Sequence, residues 1–359
     1  MKDQTTKLHV VREKQPLVAS AALLAAGLIR SMAIKSHTLK SRRRELELLQ
    51  RRPETHLSRS QLYREKSAGS APTIIVGGFV PDATETAEFQ RRILRKYGSI
   101  YYLNFPRNGF CSEMFAAQLT DLIDHLGKKR QKPFIMGVSF GGGLLIDFLK
   151  DAEEALHKQV RGLILVSPVV CSDDLIRTDG DKRGGVRLLE HNLKKILSAD
   201  PAVPENIDKL MERSRRCFQA LFTGGAENRT LSVRHLSIKK KIFEVISGTS
   251  ALGGFQRVMA LRDFTFPGLN AAVFRGPVLT LLAEQEEDML VPSSPTLKLF
   301  RNTGLYTRLF PKCHVKTVRS GNPEDGVPHA SLIFHHEPYN NLIESWYDRQ
   351  LNPYLQMAV

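Results

Sequence analysis

The sharpest chemical signal in this chain is a serine with a glycine two residues to either side, Gly137-Val138-Ser139-Phe140-Gly141. The short apolar run Phe134-Ile135-Met136 precedes it and an apolar stretch through Leu149 follows, so the spacing predicts strand, turn and helix. A serine hydroxyl attacks a carbonyl only when it is held clear of its own backbone beside a base. A sharp strand-to-helix bend provides that exposure, and Gly137 and Gly141 remove Cβ atoms that would clash within it. The helix starting behind the serine turns backbone N–H groups toward the place where an oxyanion would develop. The other groups suited to acid–base work stand late in the chain: Glu284, Glu286, Glu287 and Asp288, then His314, His329, His335 and His336. The four cysteines, Cys111, Cys171, Cys217 and Cys313, show no C-x-x-C and no Cys/His ligand spacing. Neither a metal nor another cofactor is expected, and the thiols read as reduced and partly buried.

Those residues need elements to position them. From Pro72 onward short apolar runs alternate with helical segments. Strands are expected at Thr73–Gly77, Ser99–Asn104, Phe134–Met136, Leu163–Val166, Val278–Leu282 and Val315–Val318. Between them lie a helix over Thr84–Tyr97, stopped by Gly98, and one whose apolar face carries Phe115, Leu119, Leu122, Ile123 and Leu126. Leu342, Ile343, Trp346 and Tyr347 mark the apolar face of a closing helix. Strands alternating with helices define an α/β class, a mostly parallel sheet of about six to eight strands covered on both faces.

The run from Thr73 through Phe148 resembles the α/β-hydrolase superfamily, whose members carry nucleophile, acid and histidine in that chain order. The resemblance implies a catalytic triad. The family acid lies after the next-to-last strand, a few residues before a Val-Pro; Asp288, ahead of Val291-Pro292, matches, with Glu287 and Glu284 as the main alternatives among its neighbours. The family histidine follows the last strand and precedes the closing helix, which selects His329. Ser139 would then attack, His329 would take and return the proton, and Asp288 would orient the imidazole. The implied oxyanion hole uses the N–H of Phe140 and that of Phe79 in Gly77-Gly78-Phe79, where Gly77 stands in place of the family's usual histidine. The family's early antiparallel strands are not evident before Thr73. The resemblance covers 67–171 and 276–359; the insertion at 172–275 corresponds to a helical lid over the site, with Gly-Gly pairs at 184–185, 224–225 and 253–254 as hinges or turns.

Residues 1–66 differ from the rest. Pro16–Ile29 is free of charge and flanked by basic residues on both sides. As a helix it would span only about 21 Å, short of the ~30 Å hydrocarbon core of a bilayer. Three readings stay open: an interfacial or marginally spanning anchor, a helix packed on the remainder of the protein, and a signal peptide. Leu39–Arg52 reads as a basic amphipathic helix, suited either to an anionic membrane surface or to solvent, and Ser67-Ala68-Gly69-Ser70 as a linker.

Composition bounds the rest. The 359 residues are 42% hydrophobic and 25% charged, which excludes a disordered, collagenous or disulfide-framework protein. The formal charge of +15 divides unevenly: residues 1–66 carry +9, residues 172–275 carry +6, and the remainder is neutral. With no base-stacking aromatics among the basic residues and no known module, a nucleic-acid partner is not expected. The expectation is a serine hydrolase acting on an ester or thioester of a partly apolar or lipid-like substrate. It would be membrane-associated through its amino terminus, on the cytoplasmic side, with soluble cytoplasmic and exported forms as alternatives. An amidase or peptidase of the same fold and a non-catalytic binding protein are the rivals.

Overall fold

In the computed structural model, residue 30 and residues 32–176, 186–199, 203–226, 231–322 and 324–352 are described. Pro16–Ile29 and the Gly184-Gly185 pair lie outside them.

Eight strands form one sheet: β1 (Ile34–Ser36), β2 (Gln61–Ser70), β3 (Thr73–Val76), β4 (Gly98–Asn104), β5 (Phe134–Val138), β6 (Gly162–Val166), β7 (Pro277–Ala283) and β8 (Lys312–Val318). Their spatial order is β1-β2-β4-β3-β5-β6-β7-β8. The pairs from β4 to β8 are parallel, whereas β1–β2 and β2–β4 are antiparallel. Consecutive strand residues serve opposite faces. Ile74 and Val76, Ile135, Leu163 and Leu165 enter one core, while Ile75, Phe134 and Met136, Ile164 and Val166 enter the other. A strand buried on both faces reads as a continuous apolar run, which is why β3, β5 and β6 stand out in the sequence.

The antiparallel strands absent from the sequence reading are present. β2 escaped notice because its residues Gln61, Arg64, Glu65 and Lys66 look solvated. Glu65 is nevertheless 1% exposed, because Arg91 grips its carboxylate at 2.8 and 2.9 Å and the Tyr102 hydroxyl donates to it at 2.9 Å. Burial alone would raise the Glu65 pKa, but these partners hold it below the usual carboxylate range. The boundary drawn at residue 66 therefore falls inside β2, and the expected linker at 67–70 is the end of that strand, where the register with β4 shifts. Residues before it are tied in as well. Arg30 reaches Glu85 at 2.7 Å and Glu88 at 3.0 Å, and Asp121 accepts the backbone N–H groups of Arg44 and Glu45 at the start of α1 (Arg43–Arg51).

The helix expected over 84–97 is broken into Ala83–Thr86 and α2 (Arg91–Tyr97). Next come α3 (Ser112–Gly127) and α4 (Phe140–Lys150), which starts directly after β5. Between β6 and β7 lie α5 (Val186–Leu197), α6 (Pro204–Ala226), α7 (Val233–Gly248) and α8 (Ala251–Asp263). Gly224-Gly225 and Gly253-Gly254 sit inside α6 and α8, so neither pair is a hinge or a turn. The chain closes with α9 (His336–Leu351), whose Tyr339, Ile343, Trp346 and Tyr347 are buried against the sheet. Among the described residues no helix is long and apolar enough to cross a membrane.

Candidate active site

Ser139 terminates β5 and opens α4 with φ 52° and ψ −116°, a left-handed conformation rare for a residue with a side chain. Fixed hydrogen bonds hold it there. Its N–H donates to Val166 O at 2.8 Å, and its carbonyl accepts from Gly142 N at 2.9 Å and Val169 N at 3.1 Å. The flanking glycines are required by close approach: a Cβ on Gly137 would come within 2.6 Å of Leu145 Cδ1, and one on Gly141 within 2.2 Å of Gly77 O. Gly141 thus packs the elbow directly against the loop after β3. The same crowding explains Gly77, where a Cβ would meet Ala83 N at 2.7 Å, so no histidine fits at that position.

His329 Nε2 lies 2.9 Å from Ser139 Oγ. Its Nδ1 lies 2.6 Å from Glu286 Oε2, and the other carboxylate oxygen of Glu286 accepts Ala283 N–H at 2.6 Å. The expectation that Asp288 would be the acid beside the histidine is corrected. Asp288 is exposed on the cavity rim, Glu284 is exposed, and exposed Glu287 pairs with Arg301 at 2.6 Å. Glu286 alone of the four is buried, at 0% exposure. β7 ends at Ala283 and runs at once into a single tight helical turn over Glu286–Asp288. In that turn Leu290 N donates to Glu286 O, so Glu286 shares the inward face with fully buried Leu290, and Asp288 points elsewhere. That four-residue spacing to an apolar anchor is the signal in the sequence; counting back from Val291-Pro292 lands two residues too late.

The Glu286 and His329 loops are fastened to each other. Gln285 bridges Pro328, and Gln285 N–H donates to Val327 O at 2.9 Å. Ala330, at φ 52°, donates its N–H to Ser167 Oγ at 3.0 Å, and Ser167 itself has φ 44°. Ser139 and Ser167 thus place strained residues directly after β5 and β6, and Ala330, from the loop that follows β8, joins them through Ser167; positive φ persists there only because surrounding contacts enforce it.

The loop after β3 flanks Ser139: a Cβ on Gly78 would lie 3.7 Å from Ser139 Cβ. The Phe79 ring meets that of Phe140 edge-on at 5.0 Å and stacks on Phe218 of α6 at 6.0 Å. Phe140 is the first residue of α4, so its N–H has no acceptor within the helix. Sequence reasoning missed Arg257. This α8 residue is 2% exposed and forms no ion pair among the described residues. It donates to Phe79 O at 3.2 Å and to Pro106 O at 2.6 Å, with its guanidinium 5.4 Å from the Phe105 ring centroid. Burial pulls its pKa down to about 10, which leaves it cationic at neutral pH. An isolated arginine carries no motif, so only the tertiary contact reveals that it clamps the Phe79 loop. Arg257→Met is expected to lower kcat by about tenfold to a hundredfold, short of losing a whole oxyanion donor. Thermal stability should be unchanged or raised, because a buried unpaired charge is removed. Steady-state kinetics with a thermal melt check both; an unchanged kcat would contradict the clamp.

Ser139 and His329 open into a cavity of about 450 Å³. Its walls are largely apolar and are shared between the insertion, including Leu193 of α5, Phe218 of α6, Ile246 of α7 and Val258 of α8, and the loops around Ser139 and His329, including Val80, Met289 and Leu332. The polar side chains are few: Thr86, Ser139, Ser214, Asp288, His329 and Ser331.

The architecture has many counterparts among solved structures. A membrane phospholipase A described as a bacterial virulence factor superposes with a TM-score of 0.57 at 12% identity, over 98% of this chain and 100% of the other. A bromoperoxidase from Bacillus anthracis gives 0.53 at 17% identity, over 80% of this chain and 96% of the other. A thermophilic esterase from Thermogutta terrifontis gives 0.52 at 17% identity, over 81% and 94%. The chain has the α/β-hydrolase fold. No protein-family model matches it, and a comparison with curated protein sequences gives no match. At such identities the likeness extends to the fold. Within this α/β-hydrolase fold, the Ser139 turn after β5, the Glu286 turn after β7 and the His329 loop that follows β8 come together on the side of the sheet where open α/β sheets place their ligands.

Proposed function

We propose that the protein is a serine hydrolase that cleaves a carboxylic ester or thioester with an apolar acyl chain through an acyl-enzyme. The observation that carries this reading is the hydrogen-bonded series Ser139–His329–Glu286 opening into the apolar cavity. His329 Nε2 takes the Ser139 proton as Oγ attacks the carbonyl carbon, and Glu286 stabilises the imidazolium through Nδ1. The oxyanion is held by the N–H groups of Phe79 and Phe140. His329 returns the proton to the departing alkoxide or thiolate, and water, deprotonated by the same imidazole, then releases the acid. The four-helix insertion serves as a lid that seats the acyl chain and excludes water from the acyl-enzyme.

A fluorophosphonate probe is expected to label the wild-type protein at Ser139; absence of labelling would overturn the reading. With a homologous series of esters, kcat/KM should rise roughly fourfold per methylene until the cavity is filled, corresponding to ~0.8 kcal/mol per buried CH₂. Leu221→Trp, which narrows the cavity, should move the optimum to shorter chains. Parallel thioester and amide series identify the scissile bond, and a flat chain-length profile would exclude the cavity as the acyl site.

The basic, apolar leader is read as the part that brings the enzyme to an anionic membrane surface. A form lacking residues 1–29 is expected to lose sedimentation with anionic liposomes, and equal sedimentation of both forms would reject that role.

A further inference from the structure

Away from the cavity, several neighbouring cations make no ion pair among the described residues. His37 follows β1, Arg64 and Lys66 lie on β2, and Tyr101 faces Arg64 in register on β4. His125 occupies the last turn of α3, with Lys128 and Lys129 just beyond it. The His37 ring lies 5.7 Å from Tyr101 and 6.0 Å from His125, both edge-on, and the Arg64 guanidinium sits 5.4 Å over the Tyr101 ring. These side chains therefore form one contiguous cluster.

Four atoms in it are buried with no hydrogen-bond partner among the described residues: His37 Nε2, His125 Nε2, Arg64 Nε and Tyr101 Oη. Each is able to donate a proton. Leaving buried donors unmatched is unfavourable, and four in one place call for a shared acceptor. No carboxylate supplies it. Arg64, Lys40, Lys66 and Lys129 make no ion pair among the described residues, although Arg64 also reaches Ser99 Oγ at 3.3 Å. In the adjoining cavity of about 310 Å³, which His37 also lines, Arg59 and Arg42 are both satisfied by Glu45, at 2.6 and 3.6 Å. Uncompensated positive charge is thus confined to the His37–Arg64–His125–Lys129 side.

We propose that this cluster is a binding site for a phosphate group, either free or in a phospholipid headgroup. A tetrahedral phosphate offers charged acceptor oxygens in several directions at once, which suits two imidazoles, a guanidinium and a phenol that are neighbours contributed by different elements. The cluster's present electrostatics agree. Burial, then Arg64, His125, Lys129 and Lys66, hold His37 below the usual imidazole range. Burial, then Lys129, Arg64, Lys128 and Lys40, do the same for His125. Lys129 is lowered by burial, Arg64 and Lys40. A bound phosphate reverses that repulsion, raises both imidazole pKa values, and is held more tightly at pH 6 than at pH 8.

The test uses the full chain in inorganic phosphate and in chloride at equal ionic strength, with the imidazole titrations followed by NMR. Phosphate is expected to raise the His37 and His125 titrations by about half a unit or more. That response should be lost in Lys129→Ala, an exposed substitution that spares the core, and in Arg64→Met. A second arm compares vesicles of phosphatidic acid and of phosphatidylcholine. Phosphatidic acid-specific binding weakened at least threefold by both substitutions assigns the site to a lipid headgroup; a response to inorganic phosphate alone assigns it to the free ion. Identical behaviour in phosphate and chloride, together with vesicle binding indifferent to both substitutions, overturns the site.

Discussion

Replacing Ser139 with alanine is expected to lower kcat by a factor on the order of 10⁶ and to abolish fluorophosphonate labelling, with folding intact. The magnitude follows from the elbow. In the proposed mechanism every other group acts on the hydroxyl: His329, 2.9 Å away, accepts its proton, and the N–H donors stabilise the oxyanion only after it attacks. Residual turnover, from the oxyanion site acting on a bound ester and water, should remain about 10³–10⁴ above the uncatalysed rate. The backbone supplies an independent check. Because Ser139 is held at φ 52°, Ser139→Gly removes a side chain from a strained position. That variant should be equally inactive yet melt no lower than wild type. Active-site titration and a thermal melt test the pair, and retention of more than about a hundredth of wild-type kcat in the alanine variant would contradict the assigned nucleophile.

Glu286→Gln is the second large effect, with kcat expected to fall by about 10⁴ while substrate binding changes little. Glu286 is fully buried, with one oxygen on Ala283 N–H and the other 2.6 Å from His329 Nδ1. A glutamine preserves shape but removes the charge that stabilises the imidazolium. Its amide N–H₂ also favours the tautomer in which Nδ1 accepts and Nε2 carries the proton, the wrong arrangement for a base facing Ser139. Asp288→Asn, on the exposed rim, is expected to change kcat less than about threefold, in keeping with an exposed loop substitution. The decisive measurement is the ratio of the two variants' rates. A large loss in Asp288→Asn with a small loss in Glu286→Gln would return the role to Asp288.

These two predictions separate what is written locally from what is assembled. The elbow is legible in the chain because its physics is local. A buried strand, a Ser between two crowding-relief glycines and an apolar helix lie within residues 134–150, a contiguous pattern even though Gly77, Val166 and Val169 complete the contacts that hold it. His329 is nearly as legible, since a histidine between the last strand and the closing helix has little choice of place. The acid is not. Four carboxylates within Glu284–Asp288 are chemically similar, and only the direction of one tight turn after β7 decides that Glu286 is buried while its neighbours remain in solvent.

β2 was hidden for a related reason. Its glutamate and arginine look like surface residues until Arg91 and Tyr102, from other elements, neutralise and bury Glu65. The Arg257 clamp on the Phe79 loop joins residues 178 positions apart, and the phosphate-site cluster draws on β2, β4, the segment after β1 and the end of α3. By itself, then, the sequence determined the α/β class, the sharp turn at Ser139 and the strands buried on both faces, all set by periodicity and local sterics. Only the tertiary structure decided which carboxylate lies beside His329, the antiparallel edge, the Arg257 contacts and the unpaired cations. Charge and hydrogen bonding act through space, and what a polar side chain does depends on which distant partner reaches it after burial.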